Sequence, residues 1–78
     1  MAGQDAATNL KRARWAAVAV RAFQEETGND DAAEAVQDLL SDLMHLCNLD
    51  FRLPTFETLQ ARAYQHWLEE VAEEREIL

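Results

Sequence analysis

Proline occurs once in this 78-residue chain, at Pro54, and glycine twice, at Gly3 and Gly28. Both residue types interrupt helices, so their scarcity leaves long stretches free to remain helical. Cys47 is the one cysteine, which excludes an internal disulfide and a paired-cysteine zinc motif. A single reduced thiol fits a reducing cytoplasm. No apolar run approaches the roughly 18 residues that a membrane span needs. Residues 1–14 mix Asp5 with Lys11, Arg12 and Arg14, and lack the apolar centre expected of a secretory signal. A glycine-rich phosphate loop and a nucleophile elbow are also missing.

Cations are the other shortage. Lys and Arg total 7 against 15 Asp and Glu, for a formal charge of −8. Such a body repels phosphates and anionic lipid headgroups. Direct nucleic-acid binding, which needs clustered cations to displace counterions, is therefore not expected. The imbalance is uneven. Residues 1–28 hold Lys11, Arg12, Arg14 and Arg21 and net +1, residues 29–53 net −5, and residues 54–78 net −4.

What is present is apolar helix. Hydrophobic residues make up 49% of the chain, enough for a folded unit rather than a disordered one. The length predicts one small helical domain over residues 1–78. So short a chain buries little surface alone, and a second copy or a partner could supply more.

Periodicity predicts three helices, over about 9–27, 31–47 and 55–75, with residues 1–7 and 76–78 frayed. In the first, Trp15, Val18, Ala19, Ala22 and Phe23 recur every three or four residues, and Gly28 stands where a left-handed cap is expected. In "NDDAAE", Asp31 and Glu34 have capping-box spacing at the start of the second. Its apolar face is Ala33, Val36, Leu39, Leu40, Leu43, Met44 and Cys47, and Asn48 is placed to end it. In "NLDFRL", Leu49, Phe51 and Leu53 alternate, which predicts a short extended piece tucked against the helices. Thr55 can cap the third helix, which carries Phe56, Leu59, Ala63, Tyr64, Trp67, Leu68 and Val71. Three amphipathic helices with short connections predict an all-α three-helix bundle, the second and third roughly antiparallel and the first across them. Trp15 and Trp67 read first as core. Each stripe is wide, and the surplus predicts a helix-on-helix partner surface, most simply a homodimer.

The stretch "DLLSDLMHLCNLDF" holds the candidate chemistry. Asp42 and His45 share a helix face, and His66, Glu69 and Glu70 have similar spacing on the third helix. Such sets build di-metal sites in helical bundles when they point inward. Here Asp38, Asp42 and His45 lie opposite the leucine stripe, so a water-facing back is the stronger reading and no metal or cofactor is expected. Cys47 lies on the apolar face with no base beside it, so it reads as structural rather than nucleophilic. Glu34, Asp38 and Asp42 stand at i, i+4 and i+8, an acidic row that invites comparison with metal-dependent all-α nucleotide hydrolases. Those enzymes typically show E-x-x-E followed later by E-x-x-D, which "EAVQDLLSD" does not reproduce. No catalytic residue is assigned, and the expectation is a protein that is not an enzyme. The "KRAR" tract, Lys11 to Arg14, is expected to pair with Glu34, Asp38 or the C-terminal glutamates.

The segments "DLLSDLMHLCNLDF" and "FETLQARAYQHWLEE" resemble a group of small α-helical proteins of proteobacterial phages and mobile elements, with the pattern D-L-L-x-D-L-M-H-W-C and then L-x-R-A-x-x-H. "RARWAAVAVRAFQEETG" is similar to their opening helix. The likeness covers about residues 12–70; Leu46 replaces the usual Trp, and "RLP" departs from the pattern. It implies a mobile-element accessory protein in the cytoplasm of a bacterial host, and makes His45, Arg62 and His66 positions to test. It implies no activity. The small, acidic, helical profile is similar to that of anti-CRISPR proteins and other inhibitors of host defence. That profile implies a host protein partner, such as a basic nucleic-acid-binding complex met through Glu34, Asp38, Asp42, His45, His66, Glu69, Glu70, Glu73 and Glu74. The alternative for the same acids is that they keep a small protein soluble.

Overall fold

A computed structural model describes the backbone over residues 6–77 and the side chains over residues 7–73. The architecture is all-α. Helix α1 spans Ala6–Thr27, α2 Ala32–Leu49 and α3 Phe56–Ile77, and no strand occurs among the described residues. None of these helices is long and apolar enough to cross a membrane. The middle helix packs against both others.

Local chemistry sets the boundaries. Gly28 ends α1 with φ 73°, the left-handed conformation that a side chain disfavours, and its N–H donates to the Gln24 carbonyl at 2.8 Å. The Thr27 hydroxyl donates to the Phe23 carbonyl at 2.9 Å. At the start of α2, Asp31 has extended backbone angles and its Oδ1 accepts the Glu34 N–H at 3.1 Å. The return half of a capping box is rerouted through Asn29. Its Oδ1 accepts the Asp31 N–H at 2.9 Å, and its Nδ2 donates to Glu34 Oε1 at 3.3 Å. Thr55 starts α3, its Oγ1 accepting the Thr58 N–H at 3.3 Å.

Several boundaries differ from the sequence expectation. Helix α1 begins at Ala6, so Ala6 and Ala7 are helical rather than frayed, as the high helix propensity of alanine favours. Helix α3 continues to Ile77, through glutamates that are good helix formers. The expected fraying of residues 1–5 and 78 lies outside the described residues. Asn48 does not end α2: among the described residues no non-glycine residue has positive φ, and the helix runs on to Leu49. Asp50 is the cap, its N–H reaching the Leu46 carbonyl at 2.9 Å. The expected extended piece is replaced by a turn, closed by the Leu53 N–H on the Asp50 carbonyl at 3.0 Å. Leu49 and Phe51 point to solvent, 85% and 95% exposed, instead of tucking inward.

The largest departure concerns the core. Ala35, at 0% exposure, is the one buried hydrophobic residue among those described. Val36, Leu40, Leu43 and Met44, expected inside, are exposed. Leu39, Cys47, Phe23, Leu59 and Val71 are half-buried. Trp15 and Trp67, read as core from their periodicity, are 61% and 53% exposed. The reason is shape. The Cα radius of gyration is 14.8 Å, against about 11.5 Å for a compact domain of this length, and the extents are 38 × 30 × 17 Å. Three helices this far open cannot close over one another's stripes.

Candidate functional site

The acidic row of α2 grows from helix geometry. Residues four apart fall on one face, about 6 Å apart along the axis. Glu34, Asp38 and Asp42 are all exposed, as is His45 one turn further. Among the described residues none of the three acids forms an ion pair. Glu34 is committed to the α2 cap through Asn29, whereas Asp38 and Asp42 carry no such local duty.

The acids of α3 divide differently. Glu69 is exposed and accepts from Gln65 Nε2 at 3.4 Å, and His66 is exposed. Glu70 is half-buried and structural. Its Oε2 lies 3.2 Å from Arg12 Nε, and its backbone carbonyl accepts from Asn9 Nδ2 at 3.2 Å. These bonds clasp the first turns of α1 to the second half of α3, around a hollow of about 220 Å³ that Ala13, Trp67 and Val71 also line. The expectation that the "KRAR" tract meets a C-terminal glutamate is met here. Glu73 is half-buried, and the side chain of Glu74 lies outside the described residues.

The two histidines lie on different helices, and the structure does not bring them into one site. Among the described residues no three of His, Cys, Asp or Glu gather in a way that could hold a metal ion. Cys47 lies in an apolar groove of about 280 Å³ between α2 and α3, with Leu40, Leu43, Phe56, Leu59, Gln60 and Ala63.

One constellation was missed at the sequence level. Asp50 grips Arg52 through three bonds: Oδ1 accepts the Arg52 N–H at 3.0 Å and Nε at 2.9 Å, and Oδ2 accepts Nη2 at 2.8 Å. The guanidinium first, and the backbone N–H second, hold the Asp50 carboxyl below the usual aspartate range, and the carboxylate raises Arg52 in return. This D-x-R lock makes the α2–α3 connection a shaped knuckle with Phe51 at its tip. The readable signal was a carboxylate at a helix C-cap with a cation two residues on.

The aromatic residues are presented rather than stored. The rings of Tyr64 and Trp67 stack with centroids 5.8 Å apart and planes 21° apart, and both remain more than half exposed. Trp15 and Val18 are exposed on α1.

The arrangement therefore offers carboxylate surfaces and a broad apolar surface, and among the described residues no cluster that could hold a metal ion. No family model, no characterised protein and no solved structure matches the chain.

Proposed function

We propose that this protein is a non-enzymatic protein-binding module whose carboxylate surface docks into a cation-lined groove of a host nucleic-acid-binding defence complex, in the place phosphates would take. The observation that carries this reading is the row on α2. Asp38 and Asp42 are exposed, lie on one helix face, and meet no cation of their own chain among the described residues. A carboxylate without an internal partner is available to an external one. Rows of like charge on a rigid helix steer encounter with a basic groove and fix its register. Glu69 and His66 extend the presented surface on α3.

The structural duties of other acids decide which variant tests this. Glu34 supports a cap and Glu70 a clasp, so changing them would confound fold with binding. Asp38→Lys with Asp42→Lys and Glu69→Lys leaves both intact. The wild-type protein, immobilised, is expected to capture from host lysate a protein that free nucleic acid releases and that about 0.5 M salt elutes, as screening dictates. The triple variant is expected to lose that capture with its helix content unchanged. Equal capture by the triple variant, or a captured protein indifferent to competing nucleic acid, contradicts the reading.

A further inference from the structure

We propose that the open apolar face of α2, with the groove between α2 and α3, is covered by the same two helices of a second copy of this chain, giving a two-fold dimer with a four-helix core.

The spacing comes first. Val36, Leu40, Leu43 and Cys47 follow one another at four, three and four residues, the seam by which helices pair side by side. Leu40, Leu43 and Cys47 also line one wall of the groove, and Phe56, Leu59 and Ala63 line the other. A helix hairpin with an apolar trough along it is half of a four-helix bundle. A second hairpin laid into it completes the bundle, and a two-fold contact needs only one self-complementary patch.

Charge selects the occupant. Each chain carries −8, so contact between two copies is least opposed where acids are absent. The α2 seam is such a place. Its flanking positions are Gln37, Leu39, Met44 and Leu46, all uncharged, while Glu34, Asp38, Asp42 and His45 fall on the outer positions of the same heptads. The face is neutral and apolar, and gives no preference for a cationic partner. What matches it is another neutral apolar seam, and every copy of the chain brings one.

Area supports the same answer. The chain exposes 6492 Å², against about 4,800 Å² for a folded monomer of its 8.9 kDa mass. Half of that excess already equals the roughly 800 Å² per partner of a stable interface. Among the described residues Ala35 is the one buried apolar side chain, so a single copy closes little apolar surface of its own before it meets a foreign partner. A second copy is available whenever the chain is made.

This dimer goes beyond the proposed docking, and the two have opposite responses to salt. Screening weakens an acidic surface on a basic groove, and it strengthens the pairing of two like-charged chains. The test is sedimentation equilibrium of the full chain at about 0.05 and 0.5 M salt, with Leu43→Glu on the seam and Ser41→Glu on the outer face as its charge-matched control. The wild-type and Ser41→Glu chains are expected to reach twice the 8.9 kDa monomer mass, more tightly at high salt. Leu43→Glu is expected to weaken the dimer roughly a hundredfold or more, as charge placed at an interface centre does. Because Leu43→Glu could instead fail to fold, isotope-filtered NMR on mixed labelled and unlabelled wild-type chains supplies a second readout. Contacts between copies are expected from the Leu40 and Leu43 methyl groups to the partner copy's α2 and α3. A monomer at all concentrations, a dimer weakened equally by both variants, or contacts between copies confined to α1 would overturn the proposal.

Discussion

Arg12 and Glu70, 58 positions apart in sequence, are joined by a 3.2 Å ion pair that ties the start of α1 to the second half of α3. Asn9 reinforces it by donating to the Glu70 backbone carbonyl at 3.2 Å. The two bonds separate cleanly, because a side-chain change at Glu70 leaves its carbonyl in place. Glu70→Gln is expected to destabilise the fold by less than about 1 kcal/mol, since the pair is partly solvated. The loss should shrink at about 0.5 M salt, where the wild-type pair is already screened. Urea unfolding at two ionic strengths measures it; an undiminished loss at high salt would show that the carboxylate acts through packing instead.

The start of α2 predicts a second cost. Asp31 satisfies the Glu34 N–H, and Asn29 satisfies that of Asp31. Asp31→Ala leaves a helix N-terminal donor without its side-chain acceptor and is expected to cost about 1 kcal/mol. Asp31→Asn, which keeps an acceptor oxygen, should cost markedly less. Thermal unfolding followed by circular dichroism ranks the two; equal losses would argue against the cap.

The Asp50–Arg52 knuckle predicts an acid-sensitive connection. The Asp50 carboxyl is held below its ordinary value, chiefly by the Arg52 guanidinium. A depressed carboxyl contributes stability that is present above its unfolded value, about 3.9, and is lost as pH falls through the lowered one. Proton titration by NMR should therefore show the Arg52 amide and Nε signals moving together below about pH 4. In Asp50→Asn that transition should vanish. Its persistence would assign the titration to another carboxylate.

Fluorescence reports on the exposed indole rings outside the α2–α3 face. Trp15 is 61% and Trp67 53% exposed in the single chain, although Tyr64 shields one face of Trp67 by stacking. If two copies cover the α2–α3 face alone, Trp15 on α1 stays wet. Dilute protein should then emit as solvated indole, and Trp15→Phe should remove more of the red-shifted component than Trp67→Phe. Emission from buried indole at every dilution would mean that the helices close over these rings.

Much of this fold was legible in the sequence, and the residues show why. Gly28, Asp31 and Thr55 act within a turn of themselves, so local chemistry reveals them. The apolar stripes give three helices by period alone. Periodicity says which face of a helix is apolar, but not what covers it, so Leu40, Met44 and Trp67 read as core and yet stand exposed. Alternation over Leu49, Phe51 and Leu53 was too short to outweigh the Asp50 cap and its grip on Arg52. For the candidate surfaces, the outward position of Asp38, Asp42 and His45 followed from the leucine stripe opposite them. That Glu70 serves as a clasp did not follow, because it depends on where the start of α1 lands.

The account stands or falls on a chain that leaves its apolar seam outside its own fold, to be closed by a second copy. Thermal unfolding over a hundredfold range of protein concentration tests this most directly. Linked folding and association predict a midpoint that rises by roughly 5–10 °C across that range. A midpoint that stays fixed from the most dilute sample to the most concentrated would mean that the single chain carries its own core, and would contradict the account.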